Sequence, residues 1–259
     1  TDVVAMAVRD GLSVQAVRAL DRSEVEGVND RVQLAAQERV FQSRQAERLM
    51  RQGVAFADPS RFELRGALTV GRDVFIDVGV VIEGDCRLAD GVRIGPYSVL
   101  KNVRLGAGTE VLSHSVLEGL QAGADCRIGP FSRVRPETRF ADAVHIGNFV
   151  EVKKGQLGAG TKAGHLAYIG DAMVGARVNV SAGVITCNYD GANKHMTVIG
   201  DDAFIGTDSQ LVAPVTIERG AYVAAGSTIT KTAPADALTI CRAREQKSIA
   251  GWKKPAKKS

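Results

Sequence analysis

An aliphatic residue recurs at every sixth position through most of this chain, and no other feature restricts the fold as tightly. One block runs Val70, Ile76, Ile82, Leu88, Ile94, Leu100, and a second Leu105, Val111, Leu117. A third is Ile128, Val134, Phe140, Ile146, Val152. After one-residue slips come Leu157, Ala163, Ile169, then Val174, Val180, Thr186, and finally Ile199, Ile205, Leu211, Ile217, Val223, Ile229. A period of six is neither the 3.6 of a helix nor the 2 of an exposed strand; it is the hexapeptide signature of a parallel β-helix. Each hexapeptide supplies one short strand and a turn, three close a triangular coil, and the aliphatic residue points into the prism. Glycine follows many of the inward positions, as in Ile94-Gly95, Ile146-Gly147 and Ile205-Gly206, where it is expected to relieve turns of positive φ. At about 18 residues per coil the repeat makes roughly nine coils, stacked about 4.8 Å apart into a prism roughly 40 Å long.

Two irregularities mark where the chain is expected to leave the prism: the slip from Leu100 to Leu105 and the longer gap from Thr186 to Ile199. The gap holds Cys187-Asn188-Tyr189-Asp190-Gly191-Ala192-Asn193-Lys194, a polar excursion on a rigid scaffold, where function tends to sit. Flat prism faces favour side-by-side packing about a threefold axis, so a trimer is expected.

Ahead of the repeat, residues 30–52 read as one helix. Asp30 with Gln33 makes a start of the capping-box kind, and Val32, Leu34, Ala35, Val40, Phe41, Leu49 and Met50 give an apolar stripe. Gly53 ends it. Residues 1–28 hold an apolar patch, Val3 to Val8, without a complete fold pattern.

Aromatic residues are only 5% of the chain, so the core must be built from Val, Ile, Leu and Ala. The net charge of +4 owes much to Lys253, Lys254, Lys257 and Lys258 near the end. That run reads as a solvated tail rather than a nucleic-acid surface, and mild basicity suits small anionic ligands. No apolar run approaches the roughly 20 residues of a membrane span, and nothing resembles a signal peptide. Cys86, Cys126, Cys187 and Cys241 show no CxxC spacing and read as the reduced thiols of a cytoplasmic protein.

The stretch from 128 to 194 narrows the function. It carries Ile128-Gly129-Pro130-Phe131, Arg133-Val134-Arg135-Pro136, Gly147-Asn148-Phe149-Val150-Glu151-Val152-Lys153-Lys154, Lys162-Ala163-Gly164-His165-Leu166-Ala167-Tyr168-Ile169-Gly170-Asp171, and Ile185-Thr186-Cys187-Asn188-Tyr189-Asp190-Gly191. In this order the motifs resemble the acetyltransferase domain of the bifunctional N-acetylglucosamine-1-phosphate uridylyltransferase/glucosamine-1-phosphate N-acetyltransferase family. The match runs from Glu24-Val25-Glu26-Gly27-Val28-Asn29 to Gly251-Trp252.

The resemblance implies a left-handed parallel β-helix that acetylates the amine of glucosamine 1-phosphate with acetyl-CoA as cosubstrate and needs no metal for that step. It also implies a cytoplasmic homotrimer with sites between subunits and a route towards cell-wall precursors. Such chemistry needs a base for the amine proton, cations for the sugar phosphate and donors for the tetrahedral oxyanion. His165 matches the family's catalytic base, with Glu151 placed to hold its other ring nitrogen; an ion pair with Lys153 or Lys154 is the blander reading of Glu151. Arg135 and Lys153 match binders of the sugar phosphate, with Arg133 and Lys154 as their nearby alternatives. Tyr168 and Asn179 match further sugar contacts. Ala182, Asn188, Tyr189, Lys194, Thr207, Ala225 and Arg242 match acetyl-CoA positions. Ala182 is expected to act through its backbone N–H, Asn188 to donate to the thioester oxygen, and Arg242 to meet a CoA phosphate. Thr207 stands where Ser is usual and keeps the hydroxyl. Trp252 and the terminal lysines are expected to reach a neighbouring subunit.

At the front the family carries a nucleotidyltransferase domain with a Gly-rich nucleotide loop. Residues 1–28 read as the remnant of that domain, reduced to its last strand and helix. Asn29 matches a magnesium ligand whose aspartate partner is absent, and no uridylyltransferase activity is expected. The remaining boundaries are a linker helix over 29–53, the β-helix over 54–234 and a tail over 235–259. Three rivals share the prism. A γ-type carbonic anhydrase needs three zinc-binding histidines, and the spacing of His114, His145, His165 and His195 fits that poorly. A different hexapeptide acyltransferase lacks the Asn188-Tyr189-Asp190-Gly191 excursion. A non-catalytic trimeric scaffold has no need of the ordered motifs.

Overall fold

The computed structural model describes residues 2–242, which form two compact units dividing between Gln45 and Ala46. The first unit holds a short helix, α1 (Asp2–Arg9), a 3-10 turn at Arg22–Glu24, and most of α2 (Arg31–Arg51). The apolar patch Val3–Val8 therefore lies on a helix, and the strand expected before α2 is absent from the described residues of this unit. Asp21 ties the turn to the helix: its carboxylate accepts from the Ser23 N–H (2.9 Å) and pairs with Arg44 (2.8 Å).

Both ends of α2 follow from sequence. The Asp30 carboxylate accepts the Gln33 N–H (2.8 Å), and the Gln33 side chain accepts the Asn29 N–H (2.7 Å). The box thus closes on Asn29, one residue before the usual position. At the other end Gly53 takes φ +98°. Its N–H donates to the Met50 carbonyl (2.9 Å) and that of Val54 to Leu49 (3.1 Å), the two bonds of a Schellman ending. The expected stripe is only partly used. Leu49 is buried in the core of the second unit, while Val32, Leu34, Phe41 and Met50 are exposed.

The second unit is the prism. Its first row stacks eleven parallel strands, from Ala55–Phe56 to Leu238–Thr239. Ten steps of about 4.8 Å make it roughly 48 Å long, so about ten coils replace the expected nine. The difference lies at the ends, because paired strands begin before Val70 and continue past Ile229. The second row holds strand segments such as Val81–Glu83, Arg133–Val134 and Ile185–Cys187. The third holds Arg104–Leu105, Thr138–Phe140 and Thr197–Ile199. Strands Glu63–Val70, Val81–Leu88, Glu151–Leu157 and Tyr168–Val174 run around the corner between these rows and join them into one sheet.

Every inward position of the hexapeptide series is buried except Val70, which is half-buried. A second buried line, of generally smaller residues, sits two residues before the first. It includes Val74, Val80, Cys86, Val92, Ser98, Thr109, Cys126, Ser132 and Thr161. Residues two apart share a strand face, so each short strand drives two side chains inward. Several hydroxyls on this line bond to the next coil: Thr109 donates to the Gly123 carbonyl (3.0 Å), Ser132 to Gly147 (2.7 Å) and Thr161 to Gly175 (2.7 Å). Those of Ser115, Thr138 and Thr197 on the same line have no partner among the described residues. Cys86 and Cys126 belong to it as free thiols, and burial pushes both pKa values up.

Most of the glycines after the inward residues serve a different purpose from the one expected, although Gly129, at φ +109°, does take the left-handed conformation. Gly95 and Gly200 lack positive φ, but a Cβ on Gly95 would lie 2.9 Å from the Val111 carbonyl oxygen and one on Gly200 2.6 Å from the Arg219 nitrogen. They are small because the neighbouring coil is close. The left-handed corners are taken instead by residues such as Tyr97, His114, Phe131, Phe149 and Leu166 along one edge. Along this edge the rings of Tyr97, His114, Phe131 and Phe149 stack in sequence at 4.9–5.5 Å. Nor does the slip at Leu100 leave the prism: Asn102 turns the corner at φ +53°, bonded to the Glu83 carbonyl (3.1 Å). Among the described residues no helix is long and apolar enough to cross a membrane.

Candidate active site

Four of the expected residues fall into one line. Strand register pairs Ile146 with Ala163, Ala163 with Val180, Val180 with Ile205 and Ile205 with Val223. Two residues beyond each stand Asn148, His165, Ala182, Thr207 and Ala225, one per coil along a single edge of the prism. Asn148 and His165 are direct partners, the Asp208 N–H donates to the Ala182 carbonyl (2.8 Å), and that of Gly226 to Thr207 (2.7 Å). The N–H groups of Ala182, Thr207 and Ala225 make no hydrogen bond among the described residues. Pro96 and Pro130 occupy the same place in earlier coils, as a position with an unpaired N–H allows. His165 is exposed at the head of this line, and its ring has no hydrogen-bond partner among the described residues.

Past that edge begins the second row, which carries the cationic part. Arg135 donates to Glu151 at 3.0 Å. Lys153, only 8% exposed, lies 3.6 Å from Asp171. The expected contact of Glu151 with His165 is not formed, nor is one with Lys153 or Lys154. His165 ends a strand of the first row and Glu151 opens one of the second, with the Phe149 and Leu166 corners between them. The end of the Arg135 strand lies beside Glu151, since the Arg135 N–H donates to the Val152 carbonyl (2.8 Å). Lys154 turns away to Glu137 (2.8 Å), which separates the two lysines. Tyr168 is the register partner of Glu151.

The gap after Thr186 does leave the prism. Tyr189 and Lys194 bridge antiparallel across a short loop, and the His195 N–H closes it on the Asn188 carbonyl (2.8 Å). Asp190 fastens the loop, accepting from Ala192 N–H (2.8 Å) and Asn193 N–H (2.6 Å) and contacting the His195 ring (2.7 Å). These bonds, the Asn193 N–H foremost, hold its carboxyl well below the usual range. Asn188 is 8% exposed, with its Nδ2 bonded closely to Asp171 and at 3.4 Å from the Tyr168 hydroxyl. Lys194 meets Lys153: a hydrogen bond from the Lys153 ammonium, and then its charge, push the Lys194 pKa down, while the same bond to the Lys194 amine and then Asp171 hold Lys153 up.

Asn179 lies apart from this cluster, in the first row beside Lys162, its side chain donating to Ser181 (3.0 Å). Arg242 is exposed beyond Cys241, whose carbonyl accepts the Thr228 N–H (3.1 Å). Trp252 and the terminal lysines lie outside the described residues. Asp171 was in plain view inside the His165 motif, but only the register shows that it meets Lys153 and Asn188. His114 stacks between Tyr97 and Phe131, and His195 binds Asp190.

Residues 68–102 and 196–231 match the family described as bacterial transferase hexapeptide (six repeats). The chain is 55% identical over 258 residues to the bifunctional protein GlmU of Nitrosospira multiformis, 58% identical over 258 residues to that of Alkalilimnicola ehrlichii, and 57% identical over 257 residues to that of Acinetobacter baumannii. These alignments take in 99–100% of this chain and 56% of each relative. The chain is therefore homologous along its whole length to the GlmU proteins, of which it spans about half.

Proposed function

We propose that the chain transfers the acetyl group of acetyl-CoA to the amine of glucosamine 1-phosphate, in the cytoplasm, as a homotrimer. The observation that supports this most is the edge on which His165 heads three unpaired backbone N–H groups, one short strand away from Arg135 and Lys153. An extended arm with amide groups of its own suits that edge, where Ala182, Thr207 and Ala225 offer donors one coil apart. Arg242, exposed past the last coil, is free to meet a phosphate of the same molecule.

The sugar phosphate is held by Arg135 as a fork and Lys153 as a point charge. Glu151 keeps the Arg135 guanidinium in place. As the amine nitrogen attacks the thioester carbon, His165 takes the proton that the new C–N bond makes acidic. The oxyanion that forms accepts from the Asn188 amide. Collapse breaks the C–S bond, and the proton passes from His165 to the leaving thiolate. Asn179 and His165 sit on the first row and the phosphate binders on the second, so a neighbouring subunit packed at this edge brings a complete site together. A thiol-release assay tests the reading: release should depend on glucosamine 1-phosphate and be far slower with unphosphorylated glucosamine. Release that is no faster with the sugar phosphate than without it overturns the reading.

A further inference from the structure

Asp171 is used by nothing in the mechanism above, yet two of the proposed site residues converge on it. We propose that Asp171 is a positioning residue that fixes the Asn188 amide and the Lys153 ammonium relative to one another, an inference that rests on the acetyl-transfer reading. It ties the donor for the acetyl oxygen to the cation for the sugar phosphate.

The placement starts from the stack. Asp171 and Asn188 stand two residues beyond the inward residues Ile169 and Thr186, so they occupy one corner in successive coils. Thr186 locks that step, giving its hydroxyl to the Gly170 carbonyl (2.9 Å) and accepting the Gly170 N–H (2.7 Å). Asp171 sits at φ +46°, a conformation that Asp and Asn tolerate better than other residues with a Cβ. Its side chain is 14% exposed and that of Lys153 is 10% exposed.

The chemistry then follows from what each group can do. An ionised carboxylate only accepts, so it selects the NH₂ end of Asn188 over the carbonyl end. One amide hydrogen goes to Asp171, and the Tyr168 hydroxyl, at 3.4 Å, competes only weakly for the other. That second hydrogen remains for the acetyl oxygen. The same Oδ2 atom faces the Lys153 ammonium at 3.6 Å. Among the described residues Lys153 is the ion-pair partner of this carboxylate.

The test is a double-mutant cycle on kcat with the full chain. Asp171→Asn keeps the shape and suits the left-handed corner, but it can turn either end of its amide towards Asn188. It should lower kcat roughly ten- to hundred-fold through misplacement, with melting temperature near wild type. Asn188→Ala alone should cost about 10²–10³ in kcat, as loss of one oxyanion donor does. In the Asn188→Ala background, Asp171→Asn should then cost little more, because its main client is gone. The same fold loss in both backgrounds, or wild-type kcat for Asp171→Asn, overturns the assignment. Should Asp171→Asn fail to fold, Asp171→Glu enters the same cycle, read by the same non-additivity. A wild-type chain that releases no thiol with glucosamine 1-phosphate refutes the functional reading and this role with it. An active wild type with additive losses refutes only the role of Asp171.

Discussion

Replacing Gly206 with alanine tests how tightly the coils are stacked at the edge proposed to hold acetyl-CoA. A Cβ there would lie 2.5 Å from the Ala225 nitrogen and 2.6 Å from the Val223 carbonyl oxygen, where ordinary contact begins at 3.4 Å. Both obstacles are backbone, so the coils must part by most of an ångström. That separation strains the bond from the Gly206 N–H to the Val223 carbonyl, now 2.9 Å, worth about 1 kcal/mol. Overpacking adds about 1–3 kcal/mol, and the stiffer unfolded chain returns about 0.4–1 kcal/mol. The balance is a loss of about 2 kcal/mol, which lowers Tm by about 4–8 °C in a domain of this size. Gly164, next to His165, is the control: nothing lies within 4 Å of a Cβ there, and its φ is not left-handed. Gly164→Ala should match wild type or melt slightly higher. Thermal unfolding followed by far-ultraviolet circular dichroism reads both. Gly206→Ala melting at or above wild type, or Gly164→Ala falling as far as Gly206→Ala, would refute the close-approach argument.

Three further outcomes are expected. His165→Ala should lower kcat by about 10²–10⁴ and recover partly at higher pH, whereas Arg135→Ala should chiefly raise the KM for the sugar phosphate; steady-state kinetics that show the reverse split contradict the assignment. Cys86 and Cys126 are buried with raised pKa values, so a thiol reagent at pH 8 should label them only after denaturation, as peptide mapping would show. The depressed Asp190 carboxyl stabilises the excursion above the ordinary aspartate pKa of about 3.9, and that stabilisation declines as pH falls below this value and is gone once pH has passed through the lower folded value. The Ala192 and Asn193 amide resonances should therefore hold through pH 3, and a titration midpoint near the ordinary value would count against the loop geometry.

The fold was legible because a solenoid repeats its instruction: an error at one hexapeptide is corrected by the next, and nearly every inward residue is buried as read. The ends were less legible, since before Val70 only Leu64 continues the aliphatic period and the outermost strands, Ala55–Phe56 and Leu238–Thr239, fall outside it, and about ten coils result instead of nine. Glycine was read through its own φ, but at Gly95 and Gly200 its cause lies in the coil above, about 18 residues away in sequence. The line His165, Ala182, Thr207, Ala225 was available from sequence, since each stands two residues past an inward position. Contacts made by long side chains were not. Glu151 chooses Arg135 over His165 because a corner intervenes, and Asp171 gains its partners only when Tyr168–Val174 stacks on Glu151–Leu157.

Acetyl transfer to a phosphorylated amino sugar can be read on the acceptor itself by mass analysis. Incubated with acetyl-CoA and glucosamine 1-phosphate, the wild-type chain should convert the sugar to a product carrying one more acetyl group on nitrogen, one for each thiol released. His165→Ala should make that product far more slowly. An acceptor recovered without the acetyl group, while the chain is folded and acetyl-CoA is in excess, would contradict the account.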